Sequence, residues 1–259
     1  MNTNILQKAT KNPLYLFLLK RIKHSITIKI FLKKILWNFS YFQSNGPTYT
    51  ILKRLVQEKG SNVFFINIGA NDGLSGDFLF EFIYKNKWPG ILVEPVEFVF
   101  ERLKQVYQDI PGIIFENSAI SDRNDKQNFY YLKRNNVLPA GYDQIGSFNR
   151  DHLLNHSNMF PGLEEYIVEK EVNCVSIEGL LDKYCQKVVD IIHIDAEGYD
   201  YQILKKIPFS KIKPSVIVFE SIHLTTDEIT NSKTLLTKNG YKIVQDGPNL
   251  LAHCYQMEL

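Results

Sequence analysis

The sequence predicts an α/β domain: a mostly parallel sheet of about seven strands with an antiparallel C-terminal edge strand, preceded by a helical extension. Three observations predict it. From residue 62 onward, short apolar runs alternate with stretches of helical periodicity. The runs are rich in β-branched and aromatic residues and are long enough only for buried strands. The last two runs are separated by only Gly247, Pro248 and Asn249, too short a gap for a parallel crossover, so they pair antiparallel. A chain of 259 residues that is 44% hydrophobic and 13% aromatic can bury one sizeable core.

Residues 1–60 form the extension. They carry eleven Lys or Arg and one acid, Glu58, whereas the remainder is net acidic. Lysines interrupt every apolar run short of the ~18 residues a spanning helix needs. No small-residue cleavage site follows the apolar stretch. Two short amphipathic helices, at 12–24 and 27–39, are expected here. They are read either as a cap on the domain or as a peripheral contact of residues 1–45 with an anionic membrane face. The localisation expected is cytoplasmic, with that contact at the inner face. Nucleic acid is not expected as a partner, because the acidic remainder repels phosphates.

The domain, residues 61–259, opens on the strand NVFFINIG, followed by the helix LSGDFLFEFIYKNKW with Phe78, Phe82 and Ile83 on one face. PGILVEP is the second strand, closed by Pro95. VEFVFERLKQVYQ is a helix with the stripe Val99, Leu103 and Val106, and GIIFENSAIS is the third strand. Consecutive strand–helix–strand units imply right-handed parallel crossovers and a sheet covered on both faces. KQNFYYLKR reads as a further strand. Residues 134–170 lack clear periodicity, the mark of a functional or variable insertion. EVNCVSI and the helix EGLLDKYCQ follow. The alternation then resumes with VVDIIHIDAEG, the helix YDYQILKKI, the strand KPSVIVFES and the helix TDEITNSKTLLTKNG, with Gly240 as its C-cap.

In an open α/β sheet, ligands bind beyond the carboxyl ends of the strands at the switch point. The first strand delivers IGANDG there, where Gly69 and Gly73 can adopt positive φ and let backbone approach a ligand. A helix beginning nearby would favour a negative group. The second strand ends in Glu94, 25 residues beyond Gly69, where an acid accepts hydrogen bonds from a ribose diol. A nucleoside cofactor is implied, either S-adenosylmethionine or a nicotinamide dinucleotide. The second fits less well, since Gly69, Gly73 and Gly76 depart from GxGxxG. A tight strand–helix turn without a ligand is the plain alternative.

FINIGANDG, GILVEP, FENSAIS, DIIHIDAEGYDYQIL and KPSVIVFE stand in the order seen in the FkbM-type family of S-adenosylmethionine-dependent methyltransferases, which the chain resembles from about Val63 to Ala252. The resemblance implies a Rossmann-like methyltransferase fold, S-adenosylmethionine as donor, and an oxygen acceptor such as a sugar or polyketide hydroxyl. It implies that Gly69, Ala70, Asn71 and Gly73 border the methionine end. Glu94 would hold the ribose, Ser118 and Ala119 would border the adenine, and Asp195 and Glu197 would lie near the sulfonium or acceptor. Asn67 departs from the pattern, which commonly has an acid there.

Methyl transfer to a hydroxyl needs alignment and a base. The candidates are Asp195, Glu197, Glu220 and His223, each with a plain alternative as helix cap, ion-pair partner or loop residue. His193, mid-strand, reads as a hydrogen-bonded core residue. No metal is expected: Cys174, Cys185 and Cys254 are scattered, no Cys/His spacing fits zinc, and no motif requires Asp195 and Glu197 to bind one. The insertion's Lys133, Arg134, Tyr142, Arg150, His152 and His156 suit a lid over a sugar or an anionic sugar phosphate. The expected activity is O-methylation of a sugar hydroxyl in a surface glycan or its activated, phosphorylated or nucleotide-linked precursor. The alternatives are a nicotinamide-dependent oxidoreductase of a sugar nucleotide and a methyltransferase-like module that binds without turnover.

Overall fold

The computed structural model describes residues 28, 30, 46–75, 77–138 and 141–255. The chain divides into two units, Met1–Gln43 and Ser44–Leu259. In the first, residues 28 and 30 are helical, and the helices expected at 12–24 and 27–39 otherwise lie outside the described residues. No described helix is long and apolar enough to cross a membrane.

The second unit begins with helix α1 (Pro47–Lys59), with proline in its first turn. Its buried residues Thr48, Ile51, Leu52 and Leu55 face the sheet. The Thr48 amide donates to Asp246 Oδ2 at 2.9 Å, and Lys59 pairs with buried Asp190. The boundary expected at residues 60 and 61 is therefore drawn at Ser44 instead.

The main sheet contains β1 (Phe65–Ile68), β2 (Gly90–Val93), β3 (Ile113–Glu116), β8 (Ile191–Ile194), β9 (Val216–Glu220), β10 (Lys242–Asp246) and β11 (Asn249–His253). Its order is β10-β11-β9-β8-β1-β2-β3. All neighbours are parallel except those involving β11, which runs antiparallel to both β9 and β10. The reversed strand thus sits one place in from the edge, and β10 is outermost. Gly247, at φ 59°, makes the tight reversal that pairs Asp246 with Asn249.

β1, β2 and β8 are buried along their whole length because helices cover both faces. On one face Ile66, Ile68, Ile192 and Ile194 pack with α5 (Ile177–Lys183), α6 (Asp200–Leu204) and α7 (Thr226–Lys238). α2 (Leu79–Asn86) and α3 (Glu97–Tyr107) are also well buried, and Trp88 stacks on Phe82 with centroids 5.6 Å apart. A full capping box at Thr225 and Glu228 starts α7.

The segment FENSAIS is not one strand. It leaves the main sheet after Glu116, and β4 (Ala119–Ile120) joins a second sheet of order β4-β7-β5-β6. That sheet contains β5 (Lys126–Leu132), β6 (Gly146–Ser147) and β7 (Ile167–Val175). The expected irregular insertion is thus structured: a turn of 3-10 helix at Tyr142–Gln144, strand β6, helix α4 (Arg150–Leu154) and a second 3-10 turn at Leu163–Tyr166. It has its own small core of Leu132, Leu138, Ile145, Leu153, Phe160 and Leu163. Elements this short give too few turns for a periodicity to register.

Candidate active site

The carboxyl ends of β1, β2, β8 and β9 open into a crevice with a cavity volume of ≈ 260 Å³. The insertion roofs it with Asp143, Gln144, Gly146 and Phe148. Asn71 Nδ2 donates to the Asp143 carbonyl at 3.2 Å, and Arg102 pairs with Asp143 at 2.6 Å, which fastens the roof to the loop after β1 and to α3.

The glycines of IGANDG have a packing reason besides the one expected. Gly69 lies at φ 75°, and a Cβ there would stand 1.8 Å from the Asp195 carbonyl oxygen. Gly73, at φ 69°, would drive a Cβ within 2.5 Å of the Tyr107 ring. Close approach to the β8 tip and to α3 thus also requires these glycines; Gly69 lines the crevice and Gly73 does not. Asp72 organises the turn by accepting from the Leu74 and Ser75 amides at 3.0 and 2.8 Å. The helix also starts late, at Leu79, and its first amide is taken by Asp77 Oδ1 at 2.8 Å. The anion-binding helix start expected here is therefore filled by the protein's own carboxylate, which itself lines the crevice.

Glu94 lines the crevice and is 5% exposed. Its Oε2 accepts from the Asn71 amide at 3.1 Å and its Oε1 from the Val96 amide at 2.8 Å. Each carboxylate oxygen has two lone pairs, so both retain one for a ligand. Burial pushes the carboxyl up to about 7, against the pull of those two amides and the Arg102 charge. A glutamine could not replace it without turning an NH₂ toward one of the two backbone donors.

Asn67 and His193 face each other across β1 and β8. Asn67 Oδ1 and His193 Nδ1 are 2.8 Å apart, and since an amide oxygen only accepts, Nδ1 donates. Burial drives the His193 imidazole down to about 4. The amide oxygen accepts from the ring while both groups stay neutral, whereas a carboxylate there would be a further buried ionisable group. Ala70, Asn71, Ser118 and Ala119 line the crevice. Ser118 Oγ donates to Glu116 Oε1 at 2.6 Å.

Asp195, Glu197 and Glu220 converge on the other side. Burial, then the neighbouring Glu197 and Asp77, pushes Asp195 up to about 7. Burial raises Glu197 to about 7. Burial, then Asp195 and Glu197, raises Glu220 to about 8. Glu220 Oε2 is buried without a hydrogen bond, and His223 Nε2 stands 3.5 Å from it. His223 itself sits at the rim, outside the crevice lining. Sequence reading missed Asp200, fully buried on α6, whose carboxyl is held well above its usual range by burial, then by Asp195 and Glu220. Its place in IDAEGYD was the available signal. Sequence reading also missed the crevice residues Asp77 and Asp143.

Of the insertion's candidate lid residues, His152 and His156 come to the site. His152 Nε2 is 3.1 Å from Glu197 Oε2, and His156 Nε2 is 3.4 Å from His152 Nε2. Lys133, Arg134 and Arg150 are exposed elsewhere and Tyr142 is buried in the insertion's core, its hydroxyl bonded to the Asn135 backbone. Six carboxylates line the crevice and, among the described residues, no Lys or Arg does.

The sequence matches the FkbM methyltransferase domain over residues 67–243. No curated protein matches it. Among solved structures, it is similar to a methyltransferase FkbM from Methylobacillus flagellatus KT, with 15% identity and a TM-score of 0.45, over 74% of this chain and 43% of that one. The chain thus spans less than half of that structure's length. It is also similar to an rRNA methylase from Streptococcus thermophilus (9% identity, TM-score 0.43, 83% of this chain and 99% of that one). A third is the N-terminal domain of human METTL16 in complex with SAH (12% identity, TM-score 0.37, 80% and 68%). With its family domain matched over more than half its length, the chain belongs to the FkbM family of S-adenosylmethionine-dependent methyltransferases.

Proposed function

We propose that the protein transfers a methyl group from S-adenosylmethionine to a hydroxyl of a neutral sugar, in a surface glycan or its precursor. The carrying observation is the composition of the crevice: six carboxyl side chains, Asp143 among them paired with Arg102, and, among the described residues, no lining Lys or Arg. Such a lining offers oxygen acceptors to a donor whose reactive end carries a sulfonium and an ammonium, and it offers no cation to a pyrophosphate or a sugar phosphate. It therefore weighs against a nicotinamide dinucleotide and, among acceptors, favours a polyhydroxyl without phosphate.

S-adenosylmethionine, when bound, supplies an activated methyl group that needs no further activation by the protein. The remaining tasks belong to side chains. In this reading Glu94 accepts from the ribose hydroxyls, Gly69, Ala70 and Asn71 border the methionine end, and Ser118 and Ala119 border the adenine. Asp195 faces the cationic centre. Glu220 takes the acceptor proton: its Oε2 is buried without a hydrogen bond, and burial makes the carboxylate more basic than an ordinary one. The roof of Phe148 and Tyr199, with ring centroids 5.0 Å apart, excludes water.

The test is mass spectrometry of glycans from cells with and without the gene, together with transfer assays on matched neutral and phosphorylated sugars. Loss of a single methyl from a glycan and preference for the neutral sugar support the reading. Equal or better use of the phosphorylated sugar contradicts it. For residues 1–45 we propose adhesion to an anionic membrane on the strength of their basic, aromatic composition. Unchanged vesicle binding after their deletion would remove that proposal.

A further inference from the structure

We propose that His152, His156, His223 and Glu197 form a binding site for a divalent transition-metal ion of the zinc class, at the rim of the crevice. Each residue offers one donor atom, and these atoms all lie within 4.8 Å of one another. A tetrahedral ion with ligand bonds near 2.0–2.1 Å requires donor–donor separations of about 3.3–3.4 Å. The separations here are 3.1 Å between His152 Nε2 and Glu197 Oε2, 3.4 Å between His152 and His156 Nε2, and 3.9 Å between His223 Nε2 and Glu197 Oε2. The first two lie close to that edge, the third is longer, and no pair exceeds 4.8 Å.

Three further features fit a built site rather than a chance gathering. The four donors come from three separate segments: the insertion, the tip of β8 and the loop after β9. His152 lies on α4 and His156 two residues past its end, with ring centroids 5.1 Å apart, and Asn149 caps the helix by accepting from the Asp151 amide at 2.9 Å. Glu197 is held at φ 49°, a left-handed conformation costly for a side chain of its shape, beside Gly198 at φ 86°. Removing Cβ at Gly198 matters as well, because one there would stand 3.3 Å from His152 Nδ1. Strain is thus accepted at the one residue whose carboxylate must reach the three rings. Three imidazoles and one carboxylate are the donor set of zinc and its neighbours, whereas magnesium and calcium take oxygen.

The site is not legible in the sequence because the spacing His-x₃-His…Glu…His spans the insertion and two strand tips, and no compact motif results. Four protein donors make a closed site, which pins the insertion over the tips of β8 and β9. Glu197 bound this way is unavailable as a base, which leaves that task to Glu220. The inference does not depend on the acceptor being a sugar.

The test uses the full chain without a polyhistidine tag, stripped with a chelator and titrated calorimetrically with zinc, with magnesium as control. One zinc per chain, a raised melting temperature with zinc but not magnesium, and the intense visible bands of tetrahedral cobalt on substitution are expected. His156→Ala and, separately, His223→Gln should each weaken zinc binding by about tenfold or more, given that even outer-shell partners count for 10–100-fold. Far-UV circular dichroism and a cooperative melt verify that each variant folds. No heat with zinc, a melting temperature insensitive to it, or undiminished binding in both folded variants would overturn the site. Because these readouts involve no methyl transfer, their failure leaves the functional reading standing, and failure of the transfer assay leaves the metal site standing.

Discussion

The two sides of the crevice are built on different terms. On the β1–β2 side, polar groups are paired within the protein: Glu94 with two backbone amides, Asp72 with two more, Asn67 with His193. On the β8–β9 side, Glu220 Oε2 and Asp200 Oδ2 are buried without a hydrogen bond, Glu197 is strained, and three histidines face one another. Backbone-paired groups hold a fixed shape for an invariant part of a ligand. Unpaired, strained groups are stored where chemistry or a further ligand will satisfy them. We propose on this contrast that the first side is a binding surface and the second a reactive one.

The largest effect should come from the reactive side. Glu220→Gln should lower kcat by about 10²–10⁴, the usual scale of general-base loss, while the affinity for S-adenosylhomocysteine stays within about twofold. Steady-state kinetics and calorimetry on the same preparation check this. A comparable loss of binding would erase the distinction between the sides.

Next, Gly69→Ala should destabilise the fold by roughly 2–5 kcal/mol, combining overpacking against the Asp195 carbonyl with positive-φ strain. Denaturant unfolding measures it. A neutral result would mean that the β1 and β8 tips are not locked together.

Glu94→Gln should weaken S-adenosylhomocysteine binding by about 10–100-fold, the loss of a hydrogen bond to a charged group. It should also flatten the pH dependence of stability. With its folded carboxyl at about 7 against an ordinary 4.5, Glu94 stays protonated in the folded chain after the unfolded chain has ionised. Its contribution is present below about pH 4.5, declines as pH rises toward 7 and stays lost above. Melting temperatures from pH 5 to 8 should fall less in the variant than in the parent chain. An unchanged slope would contradict the burial of that charge.

The smallest effect concerns the pair beneath the crevice. Asn67→Asp should raise the His193 pKa from about 4, because a carboxylate favours the imidazolium. NMR titration of the ring protons reads the shift, and an unmoved pKa would mean the two side chains do not face each other as described.

The main sheet was legible in the sequence because its strands are continuous apolar runs and its helices carry clear stripes. Phe65–Ile68 and Gly90–Val93 lie within the runs FFINIG and GILVEP. The crevice was legible too, since strand-tip acids such as Glu94, Asp195 and Glu220 follow from the topology alone. What was not legible was long-range. Ala119–Ile120 pairs with Cys174 and Val175, some 55 residues on, and no local pattern announces such a pairing. A reason for Gly69 lies in the Asp195 carbonyl, 126 positions away. His152 and His156 read as lid residues because their partners Glu197 and His223 are distant in sequence and adjacent only in the fold.

The central claim is that this acid-lined crevice takes a cationic nucleoside donor. Calorimetry of the full chain with S-adenosylmethionine, and in parallel with NAD⁺, tests it most directly. The account predicts saturable binding of S-adenosylmethionine, one per chain, weakened by Glu94→Gln, and no measurable heat from NAD⁺. Saturable NAD⁺ binding with silence toward S-adenosylmethionine would contradict it.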